Sequence, residues 1–212
     1  MDKQHVMKAL DELKLIPKRK FAQSYDLVIN LKNLVTKQEP IDVFVTVPHS
    51  KGKKIKVAAF VDQQLAGQAD QFCDLVIRET DFPKYDVKKM KILSQDYDYF
   101  IAQATLMPRV AAAFGKVLGT KGKMPNPKLG CVVPPTAMLE PLIKKLNHTV
   151  RVQSRKGLAL QCMVGKETQP EVEIVDNVLA VYQAVLKAVP NETQNIKNVA
   201  LKLSMSKPVR VF

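Results

Sequence analysis

The sequence predicts a two-domain protein of mixed α/β and α+β class: a discontinuous terminal α+β sandwich, residues 1–54 and 149–212, with an α/β domain, residues 55–148, inserted into it. Three observations carry this. Near both ends of the chain apolar residues alternate with polar ones, the period of strands with one face in water. In the middle they gather in short continuous runs separated by helical stretches, the pattern of a parallel sheet covered on both faces. The front 54 and back 64 residues are each too few to bury a good core, but together they make a domain of ordinary size.

Taken in order, Val6, Leu10 and Leu13 with Met7 beside them predict an amphipathic helix over residues 2–16, ended by Pro17. The basic cluster Lys18-Arg19-Lys20 and the aromatic Phe21 follow. Tyr25, Leu27, Ile29 and Leu31 alternate with Ser24, Asp26, Val28 and Asn30 and predict a half-buried strand. Ile41, Val43, Val45 and Val47 repeat the pattern after a polar turn around Lys37 to Pro40, so the two strands are expected to pair antiparallel.

From Ile55 the runs Val57–Val61, Leu75–Ile77 and Tyr99–Ala102 predict buried parallel strands, and Cys131–Val133 a further one. Val110, Ala111, Phe114, Val117 and Leu118 share one face of a helix over 106–118; Met138, Leu139, Leu142, Ile143 and Leu146 share one over 134–146. Between them, Leu118–Gly130 holds Gly119, Gly122, Gly130, Pro125, Pro127 and three lysines, Lys121, Lys123 and Lys128, with no acid. This composition predicts a shaped loop whose exposed N–H groups and lysines suit phosphate or another polyanion. A solvated connection is the plainer alternative.

Alternation returns with Val150 and Val152, then Leu158, Leu160, Cys162 and Val164, predicting a hairpin around the basic turn Arg155-Lys156-Gly157. The longest helix, 172–189, carries Val175, Leu179, Tyr182, Leu186 and Val189 on a face widened by Val178, Val181 and Val185. Val199, Leu201, Leu203 and Met205 predict the last strand. Two chain crossings near residues 54 and 148 would join the domains, a connection able to act as a hinge.

Charge points to the partner. With 33 basic and 20 acidic side chains the net charge is +13. The terminal arms carry 11 basic against 6 acidic and 9 against 5, net +9, while the insert has 13 against 9, net +4. Such an excess favours a polyanion, because neutralising phosphates releases condensed counterions. Nothing suggests a membrane: no apolar run approaches the roughly 18 residues of a spanning helix, and no Lys-rich amphipathic helix bears aromatics. The N-terminus lacks a signal-peptide core, so the protein is expected to stay where it is made. Cys73, Cys131 and Cys162 are odd in number and far apart, which predicts free thiols in a reducing compartment. No Cys/His spacing predicts a metal site, and no motif calls for a cofactor.

A phosphate-handling enzyme using the Gly119–Lys128 loop is the rival class. Against it, Lys123 is followed by Met124 where a phosphate loop needs a hydroxyl. His5, His49 and His148 are scattered, and Asp96 and Asp98 read more simply as a solvated strand entry than as an acid–base pair. RNA binding has better material. Lys18, Arg19, Lys20 and Phe21 combine phosphate-binding charge with an aromatic, and Ser24 and Asp26 follow on one strand face. Leu203–Arg210 offers small hydroxyls, a thioether and two cations at a strand end, and the first and last strands could be neighbours in one sheet.

At Gly119-Thr-Lys-Gly-Lys-Met-Pro-Asn-Pro-Lys-Leu-Gly130 the sequence resembles the signature of the ribosomal protein L-one family. The resemblance continues through Lys20-Phe21, Pro48-His49 and the following Lys-Gly-Lys turn, Val57-Ala-Ala-Phe60, the turn at Arg155, Val164-Gly165-Lys166 and Ser204-Met205. It implies a terminal domain with an inserted Rossmann-like domain, and a non-enzymatic, cytoplasmic ribosomal protein, monomeric when free. It further implies binding to large-subunit ribosomal RNA in the mobile stalk, assistance in releasing deacylated transfer RNA from the exit site, and repression of translation through the protein's own messenger RNA. The matching RNA-binding positions are Lys20, Phe21, Ser24, Asp26, Ser204, Met205 and Ser206, joined by Arg155, Lys156 and Lys166. Lys121, Lys123 and Lys128 would form a secondary RNA-binding loop. Two departures stand out: Ser206 occupies the place of the family's usual Gly, and Cys131 that of its usual Thr.

Overall fold

The computed structural model describes residues 1–17, 19–34, 41–154 and 157–212. Lys18, the turn expected at Lys37 to Pro40, and the candidates Arg155 and Lys156 lie outside the described residues. In chain order the elements of the first arm are α1 (Lys3–Lys14), β1 (Ser24–Leu31) and β2 (Asp42–Thr46). Those of the middle are β3 (Val57–Val61), α2 (Gln63–Phe72), β4 (Leu75–Arg78), α3 (Val87–Asp96), β5 (Tyr99–Gln103), α4 (Met107–Lys121), β6 (Val132–Val133) and α5 (Leu139–Asn147). The second arm holds β7 (Thr149–Gln153), β8 (Ala159–Lys166), α6 (Glu171–Ala188), β9 (Ile196–Leu203) and β10 (Val209–Arg210). The class is mixed α/β and α+β, with two compact units: Met1–Lys53 with His148–Phe212, and Lys54–Asn147.

In the first unit an antiparallel sheet runs β10-β9-β1-β8. β1 is central because its period-two pattern buries Tyr25, Leu27, Ile29 and Leu31 while its backbone is laddered on both edges. Those residues share one core with Val6, Leu10 and Leu13 of α1 and Val175, Val178, Val181 and Val185 of α6. Met7, placed beside the α1 stripe by sequence, is 42% exposed. The β1–β8 register slips between Tyr25, opposite Gly165, and Asp26, opposite Met163, a β-bulge that leaves Val164 without a register partner. The fully buried Asn177 of α6 completes that bulge: its Nδ2 donates to the Val164 carbonyl (2.9 Å) and its Oδ1 accepts from the His49 N–H (3.0 Å).

Two expected pairings are corrected. β2 does not pair with β1, whose edges are taken by β8 and β9, but with β7 in a separate two-stranded sheet. Cross-strand chemistry favours this: Arg151 donates to both Asp42 oxygens (2.8 and 2.7 Å) and lies over the Phe44 ring, 5.2 Å from its centroid. Consequently β7 and β8 form no hairpin. The chain changes sheets between them, with the Ser154 N–H donating to Ile41 on one side and the Leu31 N–H donating to Leu158 on the other.

The second unit is a parallel sheet in the order β4-β3-β5-β6. β3 is buried at all five positions, as a strand covered on both faces must be. Phe60, Phe82, Phe100 and Phe114 pack as a ring cluster with centroid separations of 4.8–5.9 Å. Asp98 and Asp74 accept from the N–H groups of Lys56 and Val57, so Asp98 caps a strand entry. The last helix starts at Leu139, later than expected, and Met138 is 77% exposed ahead of it. Burial pushes the thiols of Cys73 and Cys131 up to about 11 and that of Cys162 up to about 12, which disfavours the thiolate at all three. Among the described residues no helix is long and apolar enough to cross a membrane.

Candidate nucleic-acid interface

Because β1 and β9 run antiparallel, the start of one meets the end of the other, with Tyr25 opposite Leu203. This brings Gln23 and Ser24 to Ser204 and Met205, a few residues after Lys20 and Phe21 in the chain. β9 stops at Leu203, so Met205 lies in the turn beyond the strand rather than in its alternation. The turn is fixed residue by residue. The Ser24 N–H donates to Ser204 Oγ (3.2 Å), and the Ser204 N–H donates to the Ser24 carbonyl (3.1 Å). The Met205 N–H donates to Gln23 Oε1 (3.1 Å), and Ser206 Oγ accepts from the Leu203 N–H (2.8 Å). Held in this way, Met205 is 64% exposed and Phe21 53% exposed.

Ser206 fits the backbone of this turn. Its φ is not positive, and its hydroxyl closes the turn by accepting from Leu203 and donating to the Lys207 carbonyl (3.0 Å), so the backbone needs no glycine there.

Two organising residues escaped sequence reasoning. Gln23 is 2% exposed, one step ahead of the buried set Tyr25, Leu27, Ile29 and Leu31. A polar residue in the inward period was the available signal. Its N–H donates to Glu167 Oε2 (3.2 Å), and its carbonyl accepts from the Glu167 N–H (2.9 Å). Lys166, opposite Ser24, is half-buried, with its N–H donating to Gln169 Oε1 (2.9 Å). Beside this end an open cleft of ≈ 340 Å³ is lined by Arg19, Lys20, Phe21, Ala22, Glu167 and Thr168.

Asp26 is half-buried on the outer face of β1, opposite Lys202, with Gln161 Nε2 donating to its Oδ2 (3.4 Å). Burial raises its carboxyl above the usual range, partly offset by Gln161 and Lys202. A raised folded-state value means that this group's stabilising contribution is present below the unfolded value and lost as pH rises through the folded one.

The lysine loop is arranged differently from the expectation. Leu118–Lys121 belong to α4, which runs on through Gly119 because Gly122, at φ 66°, supplies the left-handed stop. The Gly122 N–H returns to Gly119 (2.9 Å) and the Lys123 N–H to Leu118 (2.9 Å), a Schellman closure. Asn126 then takes up the N–H groups of Lys128, Leu129 and Cys131, and Gly130 donates to Pro127. Lys123 Nζ donates to the Tyr97 carbonyl (2.6 Å). Lys121 and Lys128 are exposed, while the N–H groups of Gly122, Lys123, Lys128, Leu129 and Gly130 are spent within the segment. Among the described residues no group of three His, Cys, Asp or Glu could hold a metal ion.

Comparison with known proteins gives one family. The model of the Ribosomal protein L1p/L10e family matches residues 11–207. The large ribosomal subunit protein uL1 of Nanoarchaeum equitans is 35% identical, over 92% of this chain and 93% of its own length. Those of Methanothermococcus thermolithotrophicus and Methanocaldococcus jannaschii are 33% and 34% identical over 100% of this chain, and over 99% and 96% of their own lengths.

Proposed function

The chain belongs to the ribosomal protein L1p/L10e family, a family of structural proteins rather than enzymes, and from that premise we propose that its terminal unit binds folded ribosomal RNA in the mobile stalk of the large subunit. The observation that carries this reading is the end of the β1–β9 pair, where a hydrogen-bonded turn tied to Gln23 and Ser24 holds Met205 exposed, with the exposed Phe21 and Lys20 shortly before those residues in the chain. Phosphate contacts from Lys20, Lys166 and the basic side chains of Arg155 and Lys156 supply affinity. Ser24, Asp26 and the Ser204–Ser206 turn present hydroxyl, carboxylate and thioether groups able to meet ribose hydroxyls and base edges. Lys121, Lys123 and Lys128 have at most a secondary role, by contact with transfer RNA or the stalk. Release of deacylated transfer RNA from the exit site and repression through the protein's own messenger RNA follow from the same reading, as does a cytoplasmic place on the ribosome.

Cosedimentation across a salt series tests it. General electrostatic binding loses roughly 10³–10⁵ in affinity between 50 and 200 mM salt when 6–10 phosphates are contacted. The protein is expected to remain with purified large subunits at salt that strips an unrelated protein of equal charge; release together with that control would refute the assignment.

A further inference from the structure

The cleft beside Phe21 holds a chemical contradiction if phosphate is its only occupant. Arg19 and Lys20 line one part of it, yet Glu167 lines another, and a carboxylate repels phosphate. Nor is Glu167 a loose surface acid. It is half-buried, and its backbone and one carboxylate oxygen are tied to both backbone groups of the buried Gln23. Oε2 is occupied by the Gln23 N–H, whereas Oε1 has no partner among the described residues. Phe21 is 53% exposed, and among the described residues no other ring packs on it.

A cationic ligand would meet Arg19 and Lys20, and a purely anionic one would meet Glu167. A neutral N–H donor attached to a negative chain satisfies both, and a flat one also covers the Phe21 ring. We propose that this cleft takes one unpaired nucleobase bearing an exocyclic amino group, stacked on Phe21, its amino group donating to Glu167 Oε1 and its phosphate lying against Arg19 and Lys20. The volume, ≈ 340 Å³, falls at the lower end of the roughly 300–1,000 Å³ of ligand pockets, as suits a single base. Gln23 is then a positioning residue for two contacts at once, since its backbone orients Glu167 and its side chain orients Met205. This inference rests on the RNA-binding reading and adds base selection at one position.

The test uses the full chain and a large-subunit ribosomal RNA fragment from the stalk, made as a pool randomised at its unpaired positions. Wild-type protein should recover RNA in which uracil, which has no amino group, is depleted at least about fivefold at one such position. Glu167→Gln keeps an acceptor for the Gln23 N–H, so the fold is retained, but turns an amide N–H into the cleft; the depletion of uracil should disappear or reverse. Phe21→Leu should lower recovery about tenfold for all four bases, as loss of stacking does. The same base distribution for wild type and Glu167→Gln at every unpaired position would overturn the base pocket alone. Failure of the wild type to retain the pool better than an unrelated duplex would remove the RNA-binding reading and the pocket with it.

Discussion

Replacing Met205 with alanine is expected to weaken binding to the structured stalk RNA by roughly 30-fold while leaving binding to unrelated duplex RNA within about twofold, the signature of a central contact residue. The asymmetry follows from charge and geometry. Non-specific binding is electrostatic, and Met→Ala changes no charge. Under the proposal, specific binding draws on a side chain that is 64% exposed yet held by its own N–H on Gln23 and by the Ser204 and Ser206 bonds on either side. A flexible thioether presented from a rigid turn adapts to a ribose or base face at little ordering cost. Equilibrium titration against both RNAs separates the cases; an equal loss on both would make Met205 a general affinity residue, contrary to the proposal.

The second large effect concerns stability. Asn177→Leu is expected to lower the unfolding free energy of the terminal unit by about 1–3 kcal/mol, because one buried and one part-buried backbone group lose their partners, a buried one at roughly 1–3 kcal/mol, partly offset by the added apolar side chain. The groups are the Val164 carbonyl, stranded by the bulge in β8, and the His49 N–H. Hydrogen exchange of β1 and β8 amides in the full chain would report the loss for this unit separately from the other. Protection unchanged to within about 0.5 kcal/mol would mean that water replaces the amide, and that the bulge is not held by Asn177. The same bulge sits between Asp26 and the Ser24–Lys166 end of the strand, so its loosening should also reduce RNA affinity.

How much of this was legible in the sequence depended on how local each determinant is. The buried set of β1 and the run Val57–Val61 follow from period alone, and so the mixed class could be read directly. Pairing partners could not: β2 meets β7 across more than 100 residues, and nothing in the alternation of Val43 and Val45 says which edge is free. The end of α4 was misplaced because Gly119 and Gly122 are both plausible stops, and only burial of Val117 and Leu118 with the left-handed turn at Gly122 decides between them. At the candidate site, Phe21, Ser24, Ser204 and Met205 could be named from residue type near the strand ends and from the resemblance to the family's motifs, although Met205 lies in the turn after β9 rather than in its alternation. Gln23 and Glu167 could not, since their roles arise from hydrogen bonds between segments 144 positions apart.

The most direct test of the central claim, that the terminal unit carries the main RNA surface, is the affinity of each unit made separately for the stalk RNA. Each has its own buried core. Residues 1–54 joined to 149–212 should bind within about tenfold of the full chain, the loss reflecting only the smaller electrostatic contribution of the insert. Residues 55–148 alone should bind no better than to unrelated RNA. An insert that bound the stalk RNA as tightly as the whole chain would contradict the account.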